Sequence, residues 1–326
     1  MIQNILYLLL GLSMIIFGAN FLTDGSASLA KRFKIPELIV GLTIIAIGTS
    51  APELVVSILA SSQGSSDIAI GNVVGSNIFN ILVVIGLTAT LKNIRLSRNN
   101  IKKDIFFTFI ASIIFAVTLS LNKIFGIDMP EKISRVSGVV FLMIYFGFII
   151  STIFFALKKR NKKTDVSDNE IYIKRHSIAM ICLLIFGGLL GLVYGGDMFL
   201  NSAKAIAHKL GVKDSIIAIT LMAGGTSFPE LAACFVAAKK GKTQMALGNV
   251  IGSNVANIFL VLGTSAVVSP LYIGTITTID ISMVVISSLL LFISAFTFKH
   301  GRVDRAEGLI YITLYISYIT YLILHQ

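Results

Sequence analysis

Solid blocks of Ile, Leu, Val, Phe and Ala, parted by short polar or basic stretches, make up most of this chain. The blocks reach the roughly 20 residues that a helix needs to cross a hydrocarbon layer of about 30 Å. They lack the alternation of a membrane β-strand, so a barrel is excluded. On this reading the chain predicts ten helical spans, near 3–25, 36–60, 67–90, 104–121, 133–157, 177–199, 213–238, 244–268, 277–298 and 305–324. The expected fold class is therefore an all-α membrane protein of ten transmembrane helices. The longest polar interval, 158–176, is the expected linker between the five spans of 1–157 and the five of 177–326.

Two spans are interrupted in the same way. Gly48-Thr49-Ser50-Ala51-Pro52-Glu53-Leu54 returns 177 positions later as Gly225-Thr226-Ser227-Phe228-Pro229-Glu230-Leu231. A second block, Gly71-Asn72-Val73-Val74-Gly75-Ser76-Asn77-Ile78-Phe79-Asn80, returns at the same offset as Gly248-Asn249-Val250-Ile251-Gly252-Ser253-Asn254-Val255-Ala256-Asn257. Gly11 and Gly18 match Gly188 and Gly195 in the same register. Polar blocks duplicated inside lipid-soluble sequence are the mark of a transporter built from an internal repeat. An odd number of spans per repeat makes the second copy enter from the opposite side, so the repeats are expected to be inverted, with broken helices at the ion site.

Composition agrees with the membrane reading: 55% of the residues are hydrophobic, 13% are charged and none is tryptophan. A net charge of +11 would suggest nucleic acid in a soluble protein, but here the basic residues lie in loops. With the N-terminus outside, 21 Lys and Arg face the cytoplasm and 6 face outward. This asymmetry fits ten spans, a plasma-membrane location and both termini outside, and it makes the lipid bilayer, not nucleic acid, the partner. Met1-Ile2-Gln3-Asn4 lacks a signal-peptide basic region, so the first span is expected to be retained. Cys182 and Cys234 lie in apolar segments without CxxC or Cys/His clustering and read as two buried small hydrophobes. One polypeptide suffices for this plan, and the sequence does not set an oligomeric state.

The repeated blocks carry the chemistry. Glu53 and Glu230 lie several turns from the nearest loop, where a charge costs on the order of 3 kcal/mol. A buried Lys or Arg could neutralise them, yet no basic residue falls within the spans except near their ends. On a helix Thr49 and Ser50 share a side with Glu53, and Thr226 and Ser227 with Glu230. Pro52 and Pro229 cannot bond the carbonyls of Gly48 and Gly225, which frees backbone oxygens one turn upstream. Asn72, Ser76 and Asn80 form a stripe at spacings of four, repeated by Asn249, Ser253 and Asn257. Interhelical hydrogen bonding is the alternative use of these amides, and Gly71, Gly75, Gly248 and Gly252 look like close-packing glycines. Every candidate ligand is a hard oxygen, which selects Na⁺, Ca²⁺ or Mg²⁺ over zinc, copper or iron. Two carboxylates are neutralised by one Ca²⁺, while several Na⁺ could share the same oxygens. Competition for one ligand set produces antiport.

These blocks resemble the two alpha-repeats of the sodium/calcium exchanger family, within the calcium/cation antiporter superfamily, most specifically over 41–81 and 218–258, and closely so in its compact archaeal and bacterial members. The resemblance implies that Glu53 and Glu230 bind both ions. It also implies that Thr49, Ser50, Thr226, Ser227, Ser76, Ser253 and the carbonyls of Ala46 and Ala223 complete Na⁺ sites around a central one. It further implies that the long first and sixth helices, 3–30 and 177–208, slide past a rigid core. Asn257 departs from the aspartate that some relatives carry there, and Asn80 is also an amide, which leaves two carboxylates and makes K⁺ co-transport less expected. The chain has no large insertion between its halves, so family regulatory domains are not expected.

The function expected is an electrogenic Na⁺/Ca²⁺ antiporter needing no cofactor. A Ca²⁺/H⁺ or other cation/proton antiporter is the alternative, and a passive cation channel a third. An enzyme fits least: the spans contain no HExxH and no GxSxG, and His176, His208, His300 and His325 sit at loops or ends. Asp24 and Asp197 lie near span ends and read as interfacial.

Overall fold

The computed structural model describes residues 2–95, 101–124, 132–160, 177–211, 223–295 and 302–324; the expected linker, from residue 161 onward, lies outside them. The described chain is almost wholly helical, because in a bilayer each backbone N–H and C=O must find its partner within the protein. In order the helices are α1 (Ile2–Phe33), α2 (Glu37–Thr49), α3 (Ala51–Ser62), α4 (Ser66–Leu91), α5 (Ile101–Ile124) and α6 (Arg135–Arg160). The second half continues with α7 (Ile178–Lys209), α8 (Ala223–Gly225), α9 (Phe228–Lys239), α10 (Thr243–Val268), α11 (Thr278–Ser294) and α12 (Arg305–Leu324).

Among the described residues seven helices, α1, α4, α5, α6, α7, α10 and α12, are long and apolar enough to cross a membrane. Helices α2 and α3 form an eighth candidate, bent by 43°. The expected ninth span is the 17-residue α11. The expected seventh begins in residues 213–222, outside the described residues, and continues as α8 and α9. Both α1 and α7 run for 32 residues, past the expected ends at 25 and 199. In α1 the extension is small and buried, with Ser26, Ala27, Ser28 and Ala30 packed inside, so packing carries the helix beyond its apolar block.

Helices α4 and α10 form the centre, 72% and 83% buried over their apolar windows, whereas α1, α6, α7 and α12 are at most 28% buried and ring the periphery. Phe17 and Phe21 of α1, Met143 and Ile150 of α6, and Leu183 and Phe186 of α7 are exposed on that ring, which is the surface a lipid phase would solvate. Helices of the two halves interleave. The last helix of the first half, α6, packs on the end of α10; α12 packs on the end of α4; α2 lies along α10.

Two short antiparallel ladders fasten the halves together: β1 (Ile94–Arg95) pairs with β4 (Arg302–Val303), and β2 (Lys132–Ile133) with β3 (Leu271–Tyr272). Ile94, Val303, Ile133 and Leu271 turn their side chains into the core.

Helices α1 and α7 meet through glycine. A Cβ at Gly18 would lie 2.8 Å from the Gly188 carbonyl, and one at Gly188 would lie 2.6 Å from the Leu22 nitrogen. The two backbones therefore touch, an approach only a residue without a side chain permits. The 177-residue register seen in the sequence reappears crosswise, Gly11 against Gly195 and Gly18 against Gly188.

Candidate functional site

The site forms where the chain breaks. Helix α2 stops at Thr49, Ser50 leaves helical geometry with ψ near 6°, and α3 restarts at Ala51 with Pro52 in its first turn, where a missing N–H costs nothing. The second copy repeats this: Ser227 has ψ near 8° and α9 begins at Phe228 with Pro229 beside it. Helices α4 and α10 also depart from regular geometry at their candidate residues, becoming π-helical over Asn80–Ile85 and Asn257–Val261. Such widened turns leave backbone groups without their usual partner and occur often at functional positions.

Glu53 and Glu230 are completely buried. Glu53 Oε1 accepts hydrogen bonds from Ser76 Oγ at 3.3 Å and from Ser227 Oγ at 3.1 Å. Glu230 Oε1 accepts from Ser253 Oγ at 3.3 Å and from Ser50 Oγ at 3.2 Å. Each carboxylate thus takes one hydroxyl from its own half and one from the other. This differs from the expectation that Ser50 and Ser227 sit beside the glutamate of their own block. The reason is the break: once the helix ends at Ser50, the hydroxyl no longer follows the 3.6-residue spiral and reaches across to the opposite copy. The crossed serine contacts bring both carboxylates into one interior site.

Thr49 Oγ1 lies 3.2 Å from Asn249 Oδ1, 3.5 Å from the Ala46 carbonyl and 3.5 Å from Ser253 Oγ. Thr226 Oγ1 lies 3.1 Å from Asn72 Oδ1 and 3.3 Å from Ser76 Oγ. Two oxygen clusters therefore flank the carboxylates, one on each side. The Ala46 carbonyl also receives the Ser50 N–H at 3.0 Å, and Ala223 opens the three-residue helix α8.

Asn80 and Asn257 are fully buried, and their Oδ1 atoms have no hydrogen-bond partner; neither have Glu53 Oε2 and Glu230 Oε2. Asn77 Nδ2 and Asn80 Nδ2 are unpartnered as well, so the site mixes free donors with these four free acceptors, and the two carboxylate oxygens among them are the ones that a cation satisfies. Among the described residues neither glutamate is paired with a lysine or arginine. The ion pairs Lys240–Asp24 at 2.7 Å and Lys242–Glu37 at 2.6 Å lie elsewhere. No group of three or more His, Cys, Asp or Glu able to hold a metal occurs among the described residues, in keeping with a hydroxyl- and amide-rich ligand set.

Several residues are placed differently from their sequence expectation or were missed by it. Asn72 and Asn249, expected among the metal ligands, turn their amides to protein partners, Nδ2 of Asn72 to Ser57 Oγ at 3.0 Å and to the Glu53 carbonyl at 3.2 Å. Asn77 and Asn254, within the repeated block but outside the stripe, join the site: Asn77 Oδ1 receives Asn257 Nδ2 at 3.5 Å, and the Asn77 carbonyl receives Asn254 Nδ2 at 3.3 Å. Their presence in both copies was the signal that could have found them. Gly248 and Gly252 do press on a backbone: a Cβ at Gly252 would lie 2.5 Å from the Leu42 carbonyl. Cys234 is buried but Cys182 is exposed, because its face of α7 points outward; both are free thiols. Asp24 and Asp197, expected to be interfacial, are both exposed, Asp24 binding Lys240 and Asp197 accepting Asn201 Nδ2 at 3.1 Å.

The model of the family described as sodium/calcium exchanger protein matches residues 3–154 and 180–324. A membrane protein of Methanocaldococcus jannaschii is 34% identical over 97% of both chains. The sodium/calcium exchanger MaX1 of Methanosarcina acetivorans is 31% identical over 98% of both. Among solved structures, the sodium-calcium exchanger NCX_Mj soaked with Na⁺ and Ca²⁺ superposes with a TM-score of 0.82 at 32% identity, covering 98% of each chain. A match along nearly the whole length, joined to the duplicated glutamate blocks at the centre of the fold, makes this multi-pass membrane protein a member of the sodium/calcium exchanger family.

Proposed function

We propose that this protein is a secondary active antiporter that exchanges Na⁺ for Ca²⁺ across the plasma membrane, electrogenically and by alternating access. The observation carrying the reading is the pair of fully buried glutamates, each with one oxygen unpartnered and, among the described residues, with no cationic side chain paired to it. Two negative charges in a dry interior are tolerable only when protons or cations neutralise them, and the unpartnered carboxylate oxygens of this site offer themselves to a cation. In this reading Ca²⁺ takes the central place, held by Glu53 and Glu230. Na⁺ uses the same carboxylates together with the flanking oxygens of Thr49, Ser253 and Ala46 on one side and of Thr226, Ser76 and Ala223 on the other. Ser50 and Ser227 tie each flank to the opposite carboxylate, and Asn80 and Asn257 offer amide oxygens from the π-helical turns. Because the loaded ions compensate the site, it crosses with either cargo and not without one, which enforces exchange.

The ten-span plan belongs to the same proposal: two five-helix repeats, 1–157 and 177–326, joined by the linker 158–176 and inverted about an axis in the membrane plane, both termini outside. The hydrogen bonds support it, because Ser76 with Glu53, Ser227 with Glu53 and Thr226 with Asn72 each have a counterpart at the 177-residue offset, in Ser253 with Glu230, Ser50 with Glu230 and Thr49 with Asn249. The glycine contact between α1 and α7 supports these two helices moving as one body against the core. The relatives named for sodium/calcium exchange, MaX1 and NCX_Mj, point the same way.

The test is radioactive Ca²⁺ uptake into proteoliposomes. Uptake is expected when Na⁺ is trapped inside and removed outside, with a current that follows it. Uptake driven by a pH gradient alone, indifferent to Na⁺, overturns the Na⁺ reading in favour of proton coupling, and unitary currents would show a channel.

A further inference from the structure

Asn72 and Asn249 stand beside the carboxylates yet have their amides engaged, and apart from the bond of Asn72 Nδ2 to the Glu53 carbonyl they are engaged alike in both halves. Asn72 Nδ2 donates to Ser57 Oγ at 3.0 Å, and its Oδ1 accepts from Thr226 Oγ1 at 3.1 Å. Asn249 Nδ2 donates to Cys234 Sγ at 3.4 Å, and its Oδ1 accepts from Thr49 Oγ1 at 3.2 Å. Both series end on a backbone carbonyl: Ser57 Oγ donates to Ala69 O at 3.4 Å and Cys234 Sγ donates to Ala246 O at 3.3 Å. Ser57 and Cys234 are related by the same 177-residue offset as the blocks themselves, but the side chain has changed.

Donor and acceptor chemistry fixes the direction of the bonds that involve an amide or a carbonyl. A carbonyl can only accept, so the hydrogen of Ser57 goes to Ala69 and its lone pair faces the amide. An amide nitrogen can only donate, which turns Oδ1 of Asn72 towards the threonine; that oxygen can only accept, so the hydrogen of Thr226 points at it. With its hydrogen on Asn72, Thr226 Oγ1 keeps its lone pairs for the interior and for Ser76 Oγ, 3.3 Å away. A free hydroxyl could offer a neighbouring cation either its hydrogen or its lone pair, and only the second attracts it. Asn80 and Asn257, whose oxygens have no partner, are in the opposite condition.

We propose that Ser57 with Asn72, and Cys234 with Asn249, are positioning residues that polarise Thr226 and Thr49 so that each presents a lone pair to a monovalent cation, the thiol making the Thr49 side the looser of the two. Sulfur is both a weak donor and a weak acceptor, so the second relay holds its asparagine less firmly than the first. The two flanks, alike in ligand type, then differ in their hold on Na⁺. This inference rests on the Na⁺/Ca²⁺ reading for its cargo, and its test separates the two.

Purified protein and variants are compared for half-saturating Na⁺ and half-saturating Ca²⁺ in proteoliposome exchange, and for the rise in melting temperature on adding Na⁺. Replacing the thiol in Cys234→Ser is expected to lower half-saturating Na⁺ by about threefold, and Ser57→Cys to raise it similarly, with Ca²⁺ moving less than about twofold, the scale of one weak hydrogen bond. In an Asn249→Leu background Cys234→Ser should have no further effect, because the relay is already cut. Unchanged Na⁺ dependence in both single variants, or equal shifts for Na⁺ and Ca²⁺, overturns the relay and leaves a packing role. Should wild-type flux be indifferent to Na⁺, the antiport reading falls. The Na⁺-induced stabilisation, expected to rank Cys234→Ser above wild type and wild type above Ser57→Cys, still decides the relay, and equal stabilisation overturns it.

Discussion

At Glu53 and Glu230 one carboxylate oxygen is satisfied by two serine hydroxyls and the other by nothing in the protein. Glu53→Gln or Glu230→Gln keeps the shape and the hydroxyl contacts but removes the charge proposed to hold a divalent ion. Ca²⁺ uptake is expected to fall by more than the roughly 10–100-fold typical of losing an outer-shell partner, with an unchanged elution profile and circular dichroism. Exchange retained in either variant would refute the assignment. Asp24 and Lys240 are a contrasting case, since their side chains are 51% and 29% exposed and solvent screens the pair. Asp24→Asn should therefore change unfolding free energy by less than about 1 kcal/mol in a denaturation series.

At the scale of elements, the sequence revealed which helices are broken and missed what the break does. Proline one residue before glutamate announced an interruption; the crossing of Ser50 to Glu230 and of Ser227 to Glu53 became visible only with both breaks in place. The π-helical turns at Asn80 and Asn257 had no sequence signal, because a widened turn answers to packing and not to composition. The α1–α7 contact yields a sharper expectation. Gly18→Ala and Gly188→Ala each force a methyl into a backbone 2.8 Å and 2.6 Å away, so the crossing must open. Overpacking of this kind costs about 1–3 kcal/mol. Exchange rate should drop several-fold while Ca²⁺-induced stabilisation persists, which distinguishes damage to the moving pair from damage to the ligands.

For the molecule as a whole, interleaving ties ion binding to stability. Helices α6 and α12 pack on the opposite half, two ladders bridge the halves, and the proposed ligands come from α2, α3, α4, α9 and α10 together. A ligand spread over both halves binds only the assembled fold, so Ca²⁺ at 100 times its dissociation constant should stabilise by about 2.7 kcal/mol. The effect is measured as a shift in melting temperature and should be lost in Glu53→Gln. Topology is checked separately: if the C-terminus lies outside, an alkaline phosphatase fused there should be active and a fluorescent protein fused there dark.

The sequence by itself determined the class of fold, the duplication, the acidic pair and the hardness of the ligands. These depend on local facts: the length of an apolar run, a proline beside a glutamate, the element at each side-chain tip. Tertiary structure alone decided which hydroxyl serves which carboxylate, that Asn72 and Asn249 face protein partners while Asn80 and Asn257 keep unpartnered oxygens, and that the glycines matched at the 177-residue offset meet crosswise. The reason is physical. A helix interrupted at Ser50 and Ser227 no longer propagates side-chain direction through the chain, so orientation past the break is set by what the opposite half brings into contact.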